Sequence, residues 1–194
     1  MELAVVRPAW TIIGVDVNPR AVAAAQATSR RLGLERVAFR EANFMSFDPP
    51  EPCDVVLSVA SAHYLAGSGR GNELFARFRR WLVPGGTLVL FGPRAVEEAG
   101  YYPRLPRGAP HPVFTEEGLR RLCEGNDLEV SSLLPVIGPW GTLAKQVDWG
   151  LQRHALAAVA IYPLLLALSA VEARARPRAR SRSIMWLLEA HARS

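Results

Sequence analysis

Three short segments of the chain place polar or ionisable side chains at or near the ends of runs that are rich in apolar residues. Asp16 follows TIIGV, Asn43 follows RVAFREA, and Ser58 lies near the end of CDVVLSV, ahead of His63. A carboxylate can accept two hydrogen bonds from a ribose diol, and an amide can pair with the edge of an adenine. A histidine can remove a proton near neutral pH. Together these residue types favour a nucleotide-like cofactor and a proton-transfer step.

A purely structural interpretation of each residue is also open. Asp16 could cap a helix, and Asn43 could close a turn beside Phe44 in the core. A single histidine in a loop, such as His63, is more often structural than catalytic. The residue types therefore need the elements that position them before they indicate a site.

Short apolar strands alternate with helical stretches through residues 1–150, which are predicted to form one domain. Strands are indicated at 11–15, 36–40, 53–59, 87–91 and 128–134, and helices at 21–32, 72–82 and 116–124. Asn18 and Pro19 suit the start of the first of these helices, and Gly33 suits its end. The alternation predicts a Rossmann-like α/β fold, with a mostly parallel sheet and helices on both faces. Ligands bind beyond the carboxyl ends of such strands.

The segment at 92–112 is rich in Gly, Pro and Tyr, and it predicts a long surface loop. As a lid over an acceptor site it would bring Tyr101 and Tyr102 to the substrate. The same residues could instead pack on the edge of the sheet.

A helical extension is predicted over residues 151–194. Residues 155–171 carry no charge and favour a buried helix kinked at Pro163, or else a helix that contacts a membrane or a second copy in a homodimer. The five arginines at 174–182 are typical of a solvated tail, or of a peripheral membrane contact over 153–182. No aromatic residues alternate with these arginines, which argues against nucleic acid as a partner.

The composition excludes several classes of protein. The chain has 194 residues, a net charge of +5 and 49% hydrophobic residues, which suits one folded domain with an extension and excludes broad disorder. Cys53 and Cys123 are too few for a disulfide scaffold and lack the spacing of a metal site. The start of the chain lacks the pattern of a signal peptide, so a cytoplasmic location is predicted, with membrane association as an option.

The motifs in their order resemble those of class I S-adenosylmethionine-dependent methyltransferases, over roughly residues 1–135. The segments that carry the resemblance are GVDVNP, REANFMSF, CDVVLSVASAHYL, WLVPGGTLVLF and FTEEGLRRLCEGNDLEV. The resemblance implies that Asp16, beside Val17, holds the ribose hydroxyls of S-adenosylmethionine. It places Asn43 and Phe44 at the adenine, where the family often has an acid followed by a small residue.

The resemblance also implies that CDVVLSVASAHYL lies beside the methyl group. Ser58 and Val59 would then contact the cofactor, and His63 and Tyr64 the acceptor, with His63 as the candidate base. The implied reaction is nucleophilic displacement of the methyl group by a small-molecule acceptor. The apolar run and the arginine cluster suggest that this acceptor is apolar or lipid-like.

One family feature is not found in the sequence. In the family a first strand ends in a glycine-rich loop well upstream of the GVD motif. Here only 15 residues precede Asp16, and MELAVVRPAW contains no glycine and resembles the end of the helix that follows that loop. We therefore expect a fold that is incomplete at its N-terminus, with two unpaired strand edges, and we favour a truncated sequence.

The sequence is also compatible with two other functions. A non-catalytic relative that keeps the sheet as an interaction module would explain the missing glycine loop. A nicotinamide-dependent oxidoreductase also holds ribose with an acid at its second strand. The PGG turn and the order of the later elements favour the methyltransferase over the oxidoreductase.

Overall fold

The structure is a computed structural model, and it describes residues 2–94, 114–136 and 185–193. The chain forms two compact units, Met1–Pro52 and Cys53–Ser194. Within the described ranges no helix is long and apolar enough to cross a membrane. Four predictions lie outside the described residues: the lid with Tyr101 and Tyr102, the apolar run, the arginine cluster, and the domain boundary near residue 150.

The first unit contains two helices and a two-stranded parallel sheet. Its elements are α1 (Glu2–Val6), β1 (Ile12–Asp16), α2 (Pro19–Arg31) and β2 (Val37–Glu41). The two strands run from Ile12 opposite Val37 to Asp16 opposite Glu41. This parallel pair with a helical crossover is the unit that the strand–helix alternation predicts.

The ends of α2 are as the sequence predicts. The side-chain oxygen of Asn18 accepts hydrogen bonds from the backbone N–H groups of Arg20, at 3.0 Å, and Ala21, at 3.4 Å, so Asn18 is the N-cap. Pro19 occupies the first helical position, where its missing N–H has no partner to lose. Gly33 follows the helix at a φ of +64°, a conformation that favours glycine.

The second unit is a four-stranded sheet with helices. Its elements are β3 (Cys53–Val59), α3 (Ala62–Leu65), a π-helical turn (Ala66–Arg70), α4 (Gly71–Trp81), β4 (Leu82–Pro93), α5 (Glu116–Glu124), β5 (Leu128–Val136) and β6 (Met185–Ala192). The strand order is β3-β4-β6-β5. β3 and β4 are parallel, with an irregular register where the PGG turn was expected, and β6 is antiparallel to both of its neighbours.

The core of the second unit lies between α4, α5 and one face of the sheet. The apolar side chains of α4 are buried, and their aromatic rings contact one another: Phe75 and Phe78 at 5.8 Å between centroids, Phe78 and Trp81 at 5.7 Å. Leu88 and Leu90 of β4 are fully buried on the sheet side. Each such side chain stabilises the fold by about 1.5–3 kcal/mol through burial.

The last strand corrects the predicted helical extension. Residues 185–192 were expected to belong to a helical segment reaching residue 194, but Met185–Ala192 forms β6 between β4 and β5. Trp186, Leu188 and Ala190 are buried on one face of this strand, a period of two that fits a strand rather than a helix. The fold is α/β, as predicted. Because β6 is antiparallel to both of its neighbours, however, the larger sheet is not mostly parallel.

Four strands have only one neighbouring strand each among the described residues: β1 and β2 in the smaller sheet, and β3 and β5 in the larger sheet. The open edges of β1 and β3 are the two that were expected from the absent first strand. That a strand is missing from the sequence stays a prediction. The segment before Trp10 contains a helix, α1, as its resemblance to a helix end predicted.

Candidate functional site

Asp16 ends β1 with an exposed carboxylate that the backbone holds in place. Its Oδ1 accepts a hydrogen bond from the backbone N–H of Asn18 at 2.8 Å. The N-cap of α2 is Asn18, so the alternative prediction that Asp16 caps this helix is wrong. Anchoring through one oxygen fixes the direction of the carboxylate and keeps it at the surface, where it can accept hydrogen bonds from a ligand.

The segment that carries Asn43 lies next to Asp16 in the first unit. The backbone N–H of Ala42 donates to the carbonyl oxygen of Asp16 at 3.0 Å, immediately beyond the last register pair. β1 and β2 therefore bring the acid and the amide segment to the same end of one small sheet. The sequence predicted this proximity from the carboxyl ends of neighbouring parallel strands.

Asn43 closes a turn, as its structural interpretation expected. Its side-chain oxygen accepts from the backbone N–H of Met45 at 2.9 Å, and its carbonyl oxygen accepts from the N–H groups of Ser46 and Phe47. The amide nitrogen of Asn43 is the part of the side chain that can donate to a base edge. Phe44 is half-buried beside it, so only part of its ring is available to a ligand.

An apolar side chain accompanies these polar groups. Val17 is 59% exposed directly after Asp16.

Glu41, which sequence reasoning did not select, ends β2 as the register partner of Asp16 and is also exposed. Its position was detectable in the sequence as an acid closing the second apolar run.

In the second unit, β3 ends in a tight and strained turn. Ala60 has a φ of +49°, which is uncommon for a residue with a Cβ, and its N–H donates to the carbonyl oxygen of Phe91 at 2.7 Å. The buried Ser58 hydroxyl lies 3.1 Å from that of Ser61. Val59 is 56% exposed between them. The two residues predicted at the methyl group thus face opposite sides of the strand, one buried and one exposed.

His63 and Tyr64 follow on α3 as a stacked pair. Their ring centroids are 4.1 Å apart with an interplanar angle of 35°. His63 is buried, with 6% of its surface exposed, whereas Tyr64 is 59% exposed. The exposed phenol of Tyr64 is therefore the group that a substrate can reach directly, and the imidazole of His63 lies behind it.

Sequence reasoning also missed Arg94, which directly follows β4. Its guanidinium carbon lies 4.7 Å from the centroid of the Trp186 ring. The sequence signal was a basic residue just beyond the strand TLVLF, but the contact depends on a tryptophan in the final strand.

Residues 1–86 match a family model described as a methyltransferase domain. A comparison with curated protein sequences found no match. The matched residues contain Asp16, Asn43, Ser58 and His63, and so include every described residue that was predicted to contact cofactor or acceptor.

Solved structures show the same fold. The [4+2]-cyclase SpnF is 20% identical with a TM-score of 0.64, and the match covers 99% of this chain and 70% of SpnF. The cyclopropane synthase MmaA2 from Mycobacterium tuberculosis is 18% identical with a TM-score of 0.65, covering 98% of this chain and 73% of that protein.

A third structure contains a bound cofactor product. It is an O-methyltransferase from the trans-AT PKS multienzyme of Brevibacillus brevis, in complex with S-adenosyl-L-homocysteine. It is 12% identical with a TM-score of 0.64, and the match covers 100% of this chain but 62% of that protein. At these identities the likeness establishes the fold. The methyltransferase-domain match over residues 1–86 and the shared fold agree with the resemblance to class I S-adenosylmethionine-dependent methyltransferases.

Proposed function

We propose that this protein transfers a methyl group from S-adenosylmethionine to a small acceptor that is apolar or lipid-like. The single observation that carries the proposal is the exposed, backbone-anchored carboxylate of Asp16 at the end of β1, within residues that match a methyltransferase domain. The fold by itself is insufficient, since SpnF has it and is described as a cyclase.

The residues at the end of the first unit's sheet fit the adenosine part of this cofactor. Asp16 offers a carboxylate for two ribose hydroxyls, and charge strengthens both hydrogen bonds. The Asn43 amide can donate to an acceptor nitrogen of a base, and the exposed Val17 side chain offers apolar surface. Binding of such a ligand would not leave the polar side chains of Asp16 and Asn43 buried without a hydrogen-bond partner.

When bound, S-adenosylmethionine supplies an activated methyl group on a positively charged sulfur. The role of the protein in such a transfer is to align the acceptor and exclude water. Ser58, with its hydroxyl fixed against Ser61, presents a rigid strand end, and Tyr64 presents an exposed phenol. His63 is the candidate to accept a proton from the acceptor, with Tyr64 covering its ring.

An apolar acceptor is supported by the side chains at the end of β3. Leu57 is 52% exposed and Val59 is 56% exposed on the same face of the strand, and Tyr64 follows them. Val59 is the register partner of Phe91, which is half-buried. Contiguous exposed apolar surface on a folded unit is typical of a binding surface.

The test is transfer of a tritiated methyl group from S-adenosylmethionine, by the full chain, to a bacterial lipid extract and to a panel of water-soluble phenols and amines. Label that partitions into the organic phase, in amounts that depend on the protein, supports the proposal. Label confined to the water-soluble products contradicts the apolar acceptor. A failure of NADH to displace S-adenosylhomocysteine would separate this activity from the oxidoreductase alternative.

Membrane contact over 153–182, a homodimer and a cytoplasmic location stay parts of the same proposal. Sedimentation with anionic vesicles tests the membrane contact, and light scattering tests the dimer. A protein that stays in the supernatant with phosphatidylglycerol vesicles would remove the support for membrane contact.

A further inference from the structure

The first unit contains a cavity that the proposed methyl transfer does not use. Its volume is about 220 Å³, and it is lined by Ala4, Pro8, Trp10 and residues 33–37. Trp10 precedes β1 and residues 33–36 precede β2, so the cavity lies at the end of the sheet where both strands begin. Asp16 lies at the other end of β1, and four residue steps along a strand span about 13 Å. The cavity is therefore separate from the end of the sheet that is proposed to hold adenosine.

Hydrogen bonds hold both sides of this cavity in place. On one side, the N–H of Leu34 donates to the carbonyl oxygen of the buried Ser29 at 3.1 Å, and the Ser29 hydroxyl donates to the carbonyl oxygen of Leu34 at 3.2 Å. On the other side, the N–H of Trp10 donates to the carbonyl oxygen of Arg7 at 3.0 Å. Because the cavity is formed before a ligand arrives, binding orders little of the chain and costs less entropy.

Most of the lining is apolar or aromatic. Ala4 is 5% exposed, Leu34 and Val37 are half-buried, and Trp10 is 41% exposed, so part of its indole ring is open to a ligand. A Cβ at Gly33 would meet no other atom within 4 Å, so the loop leaves open space on this side. The cavity is smaller than the roughly 300–1,000 Å³ of sites for drug-sized ligands, which limits its ligand to a small molecule.

Two residues of opposite charge, Glu35 and Arg36, also line the cavity, in the turn that precedes β2. One guanidinium nitrogen of Arg36 donates to the hydroxyl of Thr11 at 3.1 Å, which anchors the side chain. Within the described ranges, the other guanidinium donors and the carboxylate of Glu35 have no hydrogen-bond or ion-pair partner. A guanidinium binds a carboxylate with charge-assisted hydrogen bonds, and a carboxylate binds an ammonium group in the same way.

We infer that this cavity binds a free α-amino acid with an aromatic or large apolar side chain. Arg36 binds the carboxylate of the ligand, Glu35 binds its ammonium group, and its side chain packs against Trp10. An anion without an ammonium group is repelled by Glu35, and a cation without a carboxylate is repelled by Arg36, so the two charges together select a zwitterion. Because the cavity lies away from Asp16, this inference does not rest on the proposed methyl transfer.

The experiment is calorimetric titration of the full chain with three probes that share one phenylethyl body: L-phenylalanine, 3-phenylpropanoate and phenethylamine. The second probe lacks the ammonium group and the third lacks the carboxylate. We expect the amino acid to bind about tenfold more tightly than either analogue. Because this comparison uses the wild-type chain, it does not depend on the folding of any variant. Absence of binding of L-phenylalanine, or equal affinity for the three probes, would overturn the inference.

Two charge-removing variants assign the partners of the ligand. Arg36→Gln should lose the preference for L-phenylalanine over phenethylamine, and Glu35→Gln should lose the preference over 3-phenylpropanoate. Arg40→Gln is the matched control, since it removes the same charge from β2 at a residue that does not line the cavity, and it should keep both preferences. An equal loss in Arg36→Gln and Arg40→Gln would show attraction by net charge and contradict the inference.

Two further measurements locate the ligand. Trp10→Leu should weaken the binding of all three probes, because the aromatic surface is lost, whereas Asp16→Asn should leave their binding unchanged. Adenosine, which has no amino acid part, should not compete with L-phenylalanine. Unchanged affinity in Trp10→Leu, a loss in Asp16→Asn, or competition by adenosine would place the amino acid outside this cavity and overturn the inference. Unchanged far-UV circular dichroism and melting temperature confirm that each variant is folded.

Discussion

At the residue scale, the Asp16 side chain is held in place by a hydrogen bond and is still exposed to a ligand. One carboxylate oxygen holds the N–H of Asn18, and the exposed side chain keeps its charge at the surface. Asn18 in turn caps α2, so the acid and the helix start are positioned by one short turn. The sequence predicted the acid because it ends an apolar run, and it predicted the cap because asparagine precedes proline.

The two cysteines differ in burial, and their reactivity should differ accordingly. Burial, and to a smaller extent the nearby Glu124 carboxylate, raise the pKa of the Cys123 thiol to about 12. At pH 8 this thiol is therefore almost entirely protonated. Cys53, half-buried, also has a raised pKa, from burial and from Asp54.

We predict that iodoacetamide at pH 8 labels Cys123 far more slowly in the native chain than in urea, because only the thiolate reacts. Cys53 serves as the internal control, since it is less buried and should label first. Peptide mass spectrometry over time gives both rates. Native labelling of Cys123 as fast as in urea would contradict the buried position.

Arg94 could not have been predicted from the sequence in the same way. Its placement depends on Trp186, which lies far along the chain in a strand that the local pattern had assigned to a helical extension. His63 was predicted as a loop residue, but its burial depends on the turn at Ala60 and on packing by α3. Local patterns identify residue types, whereas burial and stacking are decided by contacts that are distant in sequence.

At the scale of elements, N-cap residues determine where helices begin, and close contacts determine how strands pack. Thr115 begins α5, and its hydroxyl accepts from the N–H of Gly118 at 3.0 Å. The same helix start adjoins Phe114, whose carbonyl holds the Trp186 ring. The cap therefore supports both the helix and the aromatic ring beneath Arg94.

Thr115→Ala should lower the free energy of unfolding by about 1 kcal/mol, because one N–H at the helix start loses its acceptor. Thr115→Ser keeps a hydroxyl and should lose much less. Urea denaturation followed by far-UV circular dichroism measures both. Equal stability of the alanine and serine variants would show that the cap contributes nothing.

Gly14 is required by the contact between β1 and β2. It is the register partner of Phe39, and a Cβ at Gly14 would lie 2.5 Å and 2.7 Å from two atoms of that ring. Gly14→Ala should therefore displace the ring and destabilise the first unit by about 1–3 kcal/mol.

The smaller residue in Phe39→Leu should recover part of this loss when combined with Gly14→Ala, because it vacates the space that the new methyl group needs. Urea denaturation of the two single variants and the double variant gives the coupling. Strict additivity of the two changes would contradict a direct clash.

The strands of residues 1–136 were predictable because short β-branched runs are bounded by Gly, Pro and Asn. β6 was not, since its apolar residues follow an uncharged run and an arginine cluster that together favoured a helical extension. The burial of every second residue of β6 follows from its position between β4 and β5, which a local sequence pattern does not reveal. That insertion also explains why the larger sheet is less parallel than predicted.

At the scale of the whole molecule, exposed apolar side chains lie on β3, whose outer edge has no neighbouring strand in the part of the chain that the structure describes. Val55, Leu57 and Val59 alternate along one face of β3 and are 38%, 52% and 56% exposed. Exposed apolar strands next to an unpaired edge promote association with other chains. The net charge of +5 opposes that association through repulsion, and more weakly at high salt.

Leu57→Lys should reduce concentration-dependent association at 0.5 M NaCl, because it places a charge in the middle of the exposed apolar face. Ser131→Lys adds the same charge to an exposed position of β5 and is the matched control. Light scattering over a concentration series measures the effect. Equal association of the two variants would show that net charge, not the apolar face, governs it.

The central claim is that the end of β1 holds the adenosine part of S-adenosylmethionine through Asp16. The most direct measurement is calorimetric titration of the full chain with S-adenosylhomocysteine, for the wild type, Asp16→Asn and Asp54→Asn. We expect saturable binding that is weakened about tenfold in Asp16→Asn and unchanged in Asp54→Asn, because only the first variant loses a charge-assisted hydrogen bond to the ribose. Absence of saturable binding by the wild type, or equal affinity of the wild type and Asp16→Asn, would contradict it.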